Sequence, residues 1–421
     1  MLKRIIALTG LLVLLAGLFL ANGVQAQGET EIDVWIYQSF YENEEDSAIV
    51  KATEKFMEEN PNIKVNLIPT VYGSGSYRDK FIRVSRGGGG PDVIMNDIIW
   101  VPQMAAMEII QPVGDMMGDK KNEFFETPLK AATHEDKIYG VPYHTNALGY
   151  FYNKDLFRKA GLDPEDPPDT WSEFRAAANL ITKETDSHGF GYMGHWGGSF
   201  EWFSPFWAFG ANVLEDNMKE AALNSPQGKM ATEFWINMVT QDGVVPKASS
   251  TWKSWEEIAS GFATETVGMV FGFQNVYMKL ENKSFDFDYG IAKLPKGRAG
   301  RASILGGGHL CINANSENTE AAYKWIDYMT SVETLNVFDE SKRTSARKDA
   351  IEHQEFLKNN KKIEPLFESL EFAQPRPPIP KWTQVDYDTI QPEFMKILHE
   401  GKSVNDALND AAKNIDELLA E

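Results

Sequence analysis

The stretch RGGGGPDVIMND, residues 86–97, sets four successive glycines beside a basic side chain, the composition of a phosphate cradle. A phosphate loop needs a strand before the glycines and a Lys-Ser or Lys-Thr pair after them, opening a helix whose first amides face the anion. Here the order is reversed: the glycines precede the strand-like DVIM, and no such pair follows. The pattern predicts a turn feeding a buried strand, and the interest moves to the far end of that strand. There Asn96 and Asp97 emerge as a polar pair able to bind a solute, the alternative being that they only cap the next helix. Tyr37, Gln38 and Tyr143 hold similar strand-end positions. His144 and His309 could exchange hydrogen bonds with a ligand or simply satisfy backbone groups. The seven histidines include no H-x-x-x-H pair and the one cysteine cannot close a zinc site, so neither a metal nor another cofactor is expected. GSGS at 73–76 misses the spacing of a nucleophile elbow. Paired carboxylates could hydrolyse glycosides, but an abundance of acids is not a geometry.

These residues need elements to position them. EIDVWIY (31–37) and KVNLIP (64–69) read as strands, with helical periodicity in SAIVKATEKFMEEN between them. A helix over 77–84, the strand PDVIM and the helix VPQMAAMEII follow. Such alternation implies a largely parallel sheet covered on both faces, with ligands at the carboxyl ends of its strands. At 138–162 the character changes: GVPY and LGYFYN are strand-like with no helix between them, which suits a chain crossing between domains. DTWSEF starts a helix with Thr170 and Glu173 at capping-box spacing. Next comes an aromatic-rich run, 196–209, then the buried strand VGMVFG, FDYGIAKLPKG, the strand GGGHLCINA and a helical tail over 404–419. PRPPIP reads as a rigid surface turn.

The net charge of −20 repels phosphate backbones, so nucleic acid is not an expected partner, and an anionic ligand would need a local basic pocket. Lys3 and Arg4, an apolar run over 5–21 and the small residues Val24 and Ala26 predict an export signal cleaved after Ala26, the alternative being an uncleaved anchor. No cysteine lies there to carry a lipid. Cys311, in HLCIN, is expected to be a core residue.

The order of GPDVIM, YGVPY…LGYFYNKDLFRKAGL, P-x-TWSEF, VGMVFG, YGIAKLPKG, GHLCINANSENTEAAYKWIDYMTS, ARKDA and GKSVNDALNDAAKNIDELL resembles the extracellular solute-binding proteins of ABC importers. The resemblance is to the large carbohydrate-binding family that includes maltose-binding protein, and it spans nearly the whole chain beyond the leader. Ser345 departs from it, standing where the family usually has proline, and the missing lipid-anchoring cysteine argues for a periplasm. The resemblance implies an α/β protein of two lobes, a ligand cleft between them and about three crossings, near 143–146, 292–297 and 331–339. The boundaries expected are a leader at 1–26, an N-terminal lobe of 27–143 and 298–331, and a C-terminal lobe of 144–297 and 332–421.

It further implies a soluble, monomeric, non-enzymatic binder of a sugar or oligosaccharide that delivers its load to an ABC permease. Another small polar solute, a peptide or a polyol derivative, is the alternative, and a secreted glycoside-acting enzyme the more distant one. Sugars present C–H faces to aromatic rings and hydroxyls to carboxylates, amides and guanidinium groups. Trp202 and Trp196 are the expected stacking platforms, since the glycines at 194, 197 and 198 imply a loop. Phe273 and Gln274 follow VGMVFG where the family's binding loop lies, and Trp382 follows the proline run as a further candidate.

Overall fold

The structure, a computed structural model, describes residues 29–41, 47–71, 76–196 and 199–421. The expected leader and most of the GSGS segment lie outside them. Among the described residues no helix is long and apolar enough to cross a membrane.

Two sheets organise the chain. Strands β1 (Thr30–Tyr37), β2 (Ile63–Thr70) and β3 (Val93–Asp97) are the apolar runs of the first hundred residues, and β1 pairs in parallel with both others. The chain continues through β4 (Val141–Ala147), β5 (Gly149–Asn153), β6 (His188–Gly191), β7 (Val267–Gly272) and β8 (Tyr289–Lys293). It then forms β9 (Ser303–Ile312), β10 (Thr344–Ser345) and β11 (Ala373–Gln374). The first sheet has the order β10-β4-β9-β3-β1-β2, with β11 beside β9; the second has the order β8-β5-β7-β6. The first sheet is mixed rather than largely parallel. β9 returns from the second sheet and so runs antiparallel to both β3 and β4.

Each sheet has its own core. Val34, Ile36, Val93, Met95, Leu310 and Ile312 pack with Trp325 of helix Thr319–Met329 in the first lobe. Phe174, Phe190, Trp202, Trp235 and Phe271 anchor the second. The packing changes partner between Tyr143 in the first core and Leu148 in the second. Leu335, Val337 and Phe338 also lie in the first core, so the expected third crossing at 331–339 is still first-lobe structure. Cys311 is buried there as expected.

Local signals act as their chemistry dictates. Thr170 and Glu173 form a full capping box on helix Trp171–Glu184. The glycine run ends helix Ser76–Arg86 in a turn: Gly88 and Gly90 have φ of +80° and +107°. Asn313 Nδ2 donates to the carbonyls of Gly89 and Pro91, and Asn315 Nδ2 to that of Ser85. The turn therefore presents carbonyl oxygens to amide donors, the wrong polarity for an anion.

Candidate functional site

The carboxyl ends of β1 and β3 are Tyr37 and Asp97, with Gln38 exposed just beyond the first. Asp97, partly exposed, ends β3 and its Oδ1 accepts the amide of Ile99 at 3.1 Å, a turn bond that sets the start of the next segment. Beside it Arg78, from helix Ser76–Arg86, lies 5.9 Å from the Trp100 ring. Arg78 also crosses the gap: its Nη1 donates to Thr383 Oγ1 of the second lobe at 3.2 Å.

Facing these groups, the chain turns from α-helix Trp382–Gln384 into a π-helical stretch, Val385–Ile390, before resuming as Gln391–Glu400. A π-turn widens the helix locally and is frequent at functional sites. Here it presents Tyr387 and buries Asp386 beside it. Tyr387 keeps 46 % of its surface exposed, although burial of its hydroxyl and the charge of Asp386 raise its pKa. Asp97 acts on it in the same sense, while Arg376 and Arg78 pull it down. One phenol thus feels charges from both lobes. Asp386 is buried, accepts a 3.3 Å hydrogen bond from Gln391, and has its pKa pushed up to about 6 by burial, with Arg376 opposing.

Arg376 comes from the proline run, where Pro375 and Pro377 restrict the backbone on either side. Its guanidinium carbon lies 5.5 Å from the Phe200 ring, and its Nε is buried without a hydrogen-bond partner among the described residues. Phe200 meets Phe273 and Trp255 at 6.1 Å each, and Trp255 meets Phe273 at 5.4 Å, so three rings form one wall. At the foot of that wall a side chain at Gly306 would meet the Phe273 ring at 3.5 Å and collide with Asn146 Oδ1, which is itself buried without a partner. The crossing strands β4 and β9 therefore leave Asn146 and a bare backbone at the floor. The arrangement combines aromatic faces, two carboxylates, two guanidinium groups and an orphaned amide, groups that can stack on and hydrogen-bond a small polar solute.

The expected site residues divide. Gln38 is exposed at the end of β1 and Asp97 lines the gap. Tyr37 is 6 % exposed, its ring edge-on to Tyr77 at 5.4 Å and His144 at 6.4 Å, so it shapes the rim from below. Phe273 contributes its ring to the wall, whereas Gln274 turns away and donates to Thr344 Oγ1 in β10. Trp196 closes a short 3-10 turn, Gly194–Trp196, and its side chain lies outside what is described.

Other expectations are corrected. Asn96 alternates with Asp97 along β3 and points into the core, fully buried, where its Nδ2 meets Met104 Sδ at 3.1 Å. Trp202 lies in helix Ser199–Ala208, not in a loop, with no exposed surface; its Nε1 donates to Thr232 Oγ1 at 3.0 Å and its ring packs on Phe206 and Phe394. Trp382 is 1 % exposed and packs against Phe203. Tyr143 is buried between Phe40 and Phe338. His309 is buried, its Nε2 donates to the Pro128 carbonyl at 2.9 Å, and burial holds its pKa down at about 4. His144 is held well below the usual histidine range, by burial first and by Arg343.

Arg78, Trp100, Asn146, Phe200, Trp255, Arg376, Asp386 and Tyr387 were not foreseen. The readable signals were an arginine locked between prolines and an aromatic between two acids in VDYDT. Among the described residues no group of three or more His, Cys, Asp or Glu side chains could hold a metal ion.

Comparison with known proteins identifies the family. The sequence profile of the bacterial extracellular solute-binding protein family matches residues 41–334. A binding protein of Brucella abortus (strain 2308) is 26 % identical, over 97 % of this chain and 98 % of that one. The sn-glycerol-3-phosphate-binding periplasmic protein UgpB of Shigella dysenteriae is 24 % identical, over 73 % of this chain and 72 % of its own. Among solved structures, an ABC transporter solute-binding protein of Thermotoga lettingae bound with α-D-tagatose superposes with a TM-score of 0.78 at 27 % identity, covering 93 % of this chain and all 100 % of that one. Maltose-bound MalE3 of T. maritima gives 0.78 and 27 %, covering 92 % and 100 %.

Proposed function

Because the chain belongs to the bacterial extracellular solute-binding proteins of ABC transporters, we propose that its own solute is a carbohydrate, held between the lobes and handed to a membrane permease. The observation that carries this reading is Tyr387, half exposed on a π-turn and under the charges of Asp97 and Arg78 from one lobe and of Asp386 and Arg376 from the other. A ring flanked by hydroxyl-binding groups of both lobes suits a sugar face, and contact with both lobes is what lets a ligand favour the closed state. In the same reading the exported protein is periplasmic, monomeric and catalytically silent, with Gln38, Asp97, Arg78, Asn146, Phe200, Phe273, Arg376, Asp386 and Tyr387 as ligand groups.

A second reading follows from Arg376, whose buried Nε has no hydrogen-bond partner among the described residues and could meet an anion: a polyol phosphate, the kind of solute named for the glycerol-phosphate-binding relatives. A thermal-shift screen across maltose, tagatose, longer oligosaccharides and glycerol 3-phosphate tests both, because a solute that binds only the native state raises the melting temperature. A shift with sugars alone supports the first reading; a shift with glycerol 3-phosphate alone replaces it with the second. New reducing ends from an incubated oligosaccharide would refute a binding-only role.

A further inference from the structure

The ring that Phe200 lends to the cleft wall sits on the first turn of helix Ser199–Ala208, and the next residue, Glu201, is completely buried. Its Oε2 accepts the backbone N–H of Met193 at 2.8 Å, while Oε1 has no hydrogen-bond partner among the described residues. A buried charge without a partner is costly, and the cost is avoided when the acid keeps its proton. Burial pushes the Glu201 pKa up to about 8, the Met193 amide opposing, so the group is mainly neutral at pH 7.

The turn that Glu201 grips has little freedom elsewhere. Ser249 Oγ accepts the Tyr192 amide at 2.8 Å and donates to the Tyr192 carbonyl at 2.6 Å, and the His195 amide donates to the Trp252 carbonyl at 3.0 Å. A side chain at Gly194 would run into the backbone of Ser249 and Ser250. The Glu201 bond is a link from this seated turn to the helix that bears Phe200.

We infer that Glu201 is a positioning residue of the ligand site: by accepting the Met193 amide it ties the turn at 193–196 to the first turn of helix Ser199–Ala208 and so holds Phe200 in the cleft wall. The inference rests on the cleft reading above, since the position of Phe200 matters to binding only if solute meets that wall. The titratable side chains on the packed elements include Tyr192 and His195 on the turn, Lys247 on the segment Lys247–Thr251, Lys296 on the segment Lys296–Gly297, His309 on β9 and Arg376 against the Phe200 ring. Lys229 and Glu233 lie on helix Pro226–Thr240, and Glu393, Lys396, His399 and Glu400 on helix Gln391–Glu400. Glu393 is already bonded to Lys396 and Lys402, and the Tyr192 hydroxyl is raised by burial first and by Glu201 second. Ionisation would strengthen acceptance of the Met193 amide but leave a charge buried. With the folded pKa raised above the ordinary 4.5, the closed turn is most favoured below that value and loses this advantage progressively as pH rises to about 8, because opening then hydrates the charge.

The test is amide hydrogen exchange at 193–196 in the full ligand-free chain, with Glu201→Gln and Glu201→Ala beside the wild type. Glutamine keeps a neutral acceptor and should match the wild type at pH 6, while alanine should exchange about tenfold faster there, the equivalent of one hydrogen bond. Between pH 6 and pH 8 the wild-type turn should lose protection by about tenfold or more relative to Glu201→Gln, and this comparison decides the matter alone if the alanine variant does not fold. Equal exchange in all three proteins, loss of protection spread evenly over the chain, or failure of Glu201→Gln to fold would each overturn the tie. Maltose titrations form a second arm, in which Glu201→Ala should bind more weakly and Glu201→Gln as the wild type does. If none of the three binds maltose, the carbohydrate reading suffers and the exchange data still decide the role of Glu201.

Discussion

Replacing Tyr387 by alanine should cost affinity and leave the fold intact. The exposed share of the side chain is 46 %, and an aromatic side chain offers on the order of 200 Å² in all, so about 90 Å² is open for a ligand to cover. At about 25 cal/mol per Å² that area is worth ~2 kcal/mol, or roughly thirtyfold in affinity if the solute covers all of it. Burial, Asp386 and Asp97 raise the phenol pKa, so it stays a hydrogen-bond donor at neutral pH. Tyr387→Phe should therefore retain most of the stacking and lose roughly one hydrogen bond, about 1 kcal/mol. Isothermal titration with the best solute from the screen would measure both variants, and denaturant melts would check that stability shifts by less than about 0.5 kcal/mol. Binding within twofold of wild type in Tyr387→Ala would refute the placement of the site on the π-turn; so would a collapse of stability.

Trp202→Ala should behave in the opposite way: the ring is fully buried against Phe206 and Phe394, so its loss should destabilise the protein by about 3–5 kcal/mol in urea melts, and a folded variant with only weakened binding would contradict the core assignment. Gly90→Ala should lower the melting temperature without changing solute affinity, because φ is +107° there and an added Cβ would meet Asn313 Nδ2 at 2.9 Å. Small-angle scattering should show a smaller radius of gyration with the bound solute than without it, and superimposable curves would rule out closure of the lobes.

The fold was legible because it rests on patterns that repeat within one element. Apolar runs such as VGMVFG, the Thr170 and Glu173 cap and the glycine turn before β3 each state their local structure without help from distant residues. The site was less legible, because which face of an element meets the cleft depends on pairing and packing. Asn96 and Asp97 are adjacent, yet the pleat of β3 buries one and opens the other. Glycines 194, 197 and 198 suggested a loop around Trp202, but the helix starts at Ser199 and carries that ring into the core. The π-turn that presents Tyr387 widens one helix by a change of hydrogen-bond register, which leaves no mark in apolar periodicity. Arg78 and Arg376 lie almost three hundred residues apart, and only the crossing of the chain between lobes brings both within reach of Tyr387.

The charges in the cleft also bear on which solute it prefers. Arg78 and Arg376 act on Tyr387 together with Asp97 and Asp386, and Arg78 is itself paired with Asp79 at 3.0 Å, so the acids here at least match the cations, on a chain whose net charge is −20. A neutral sugar can give hydroxyl protons to the carboxylates and accept from the guanidinium groups, using all four. A phosphate ester would gain the two arginines and face repulsion from both acids. That balance shifts with pH, because burial raises the pKa of Asp386 to about 6, above the ordinary 3.8. Its carboxyl is neutral below that pH and charged above it, so the share of the repulsion that comes from Asp386 is absent in acid and grows as pH rises through about 6. Glycerol 3-phosphate should then bind more tightly at pH 5 than at pH 7.5, by about tenfold. A neutral sugar should change far less. The phosphate group itself titrates with a second pKa near 6, so the control is Asp386→Asn, in which only the solute's own titration remains. If the asparagine variant and the wild type show the same pH dependence toward glycerol 3-phosphate, Asp386 does not face the solute, and the charge argument for a carbohydrate loses its second-lobe half.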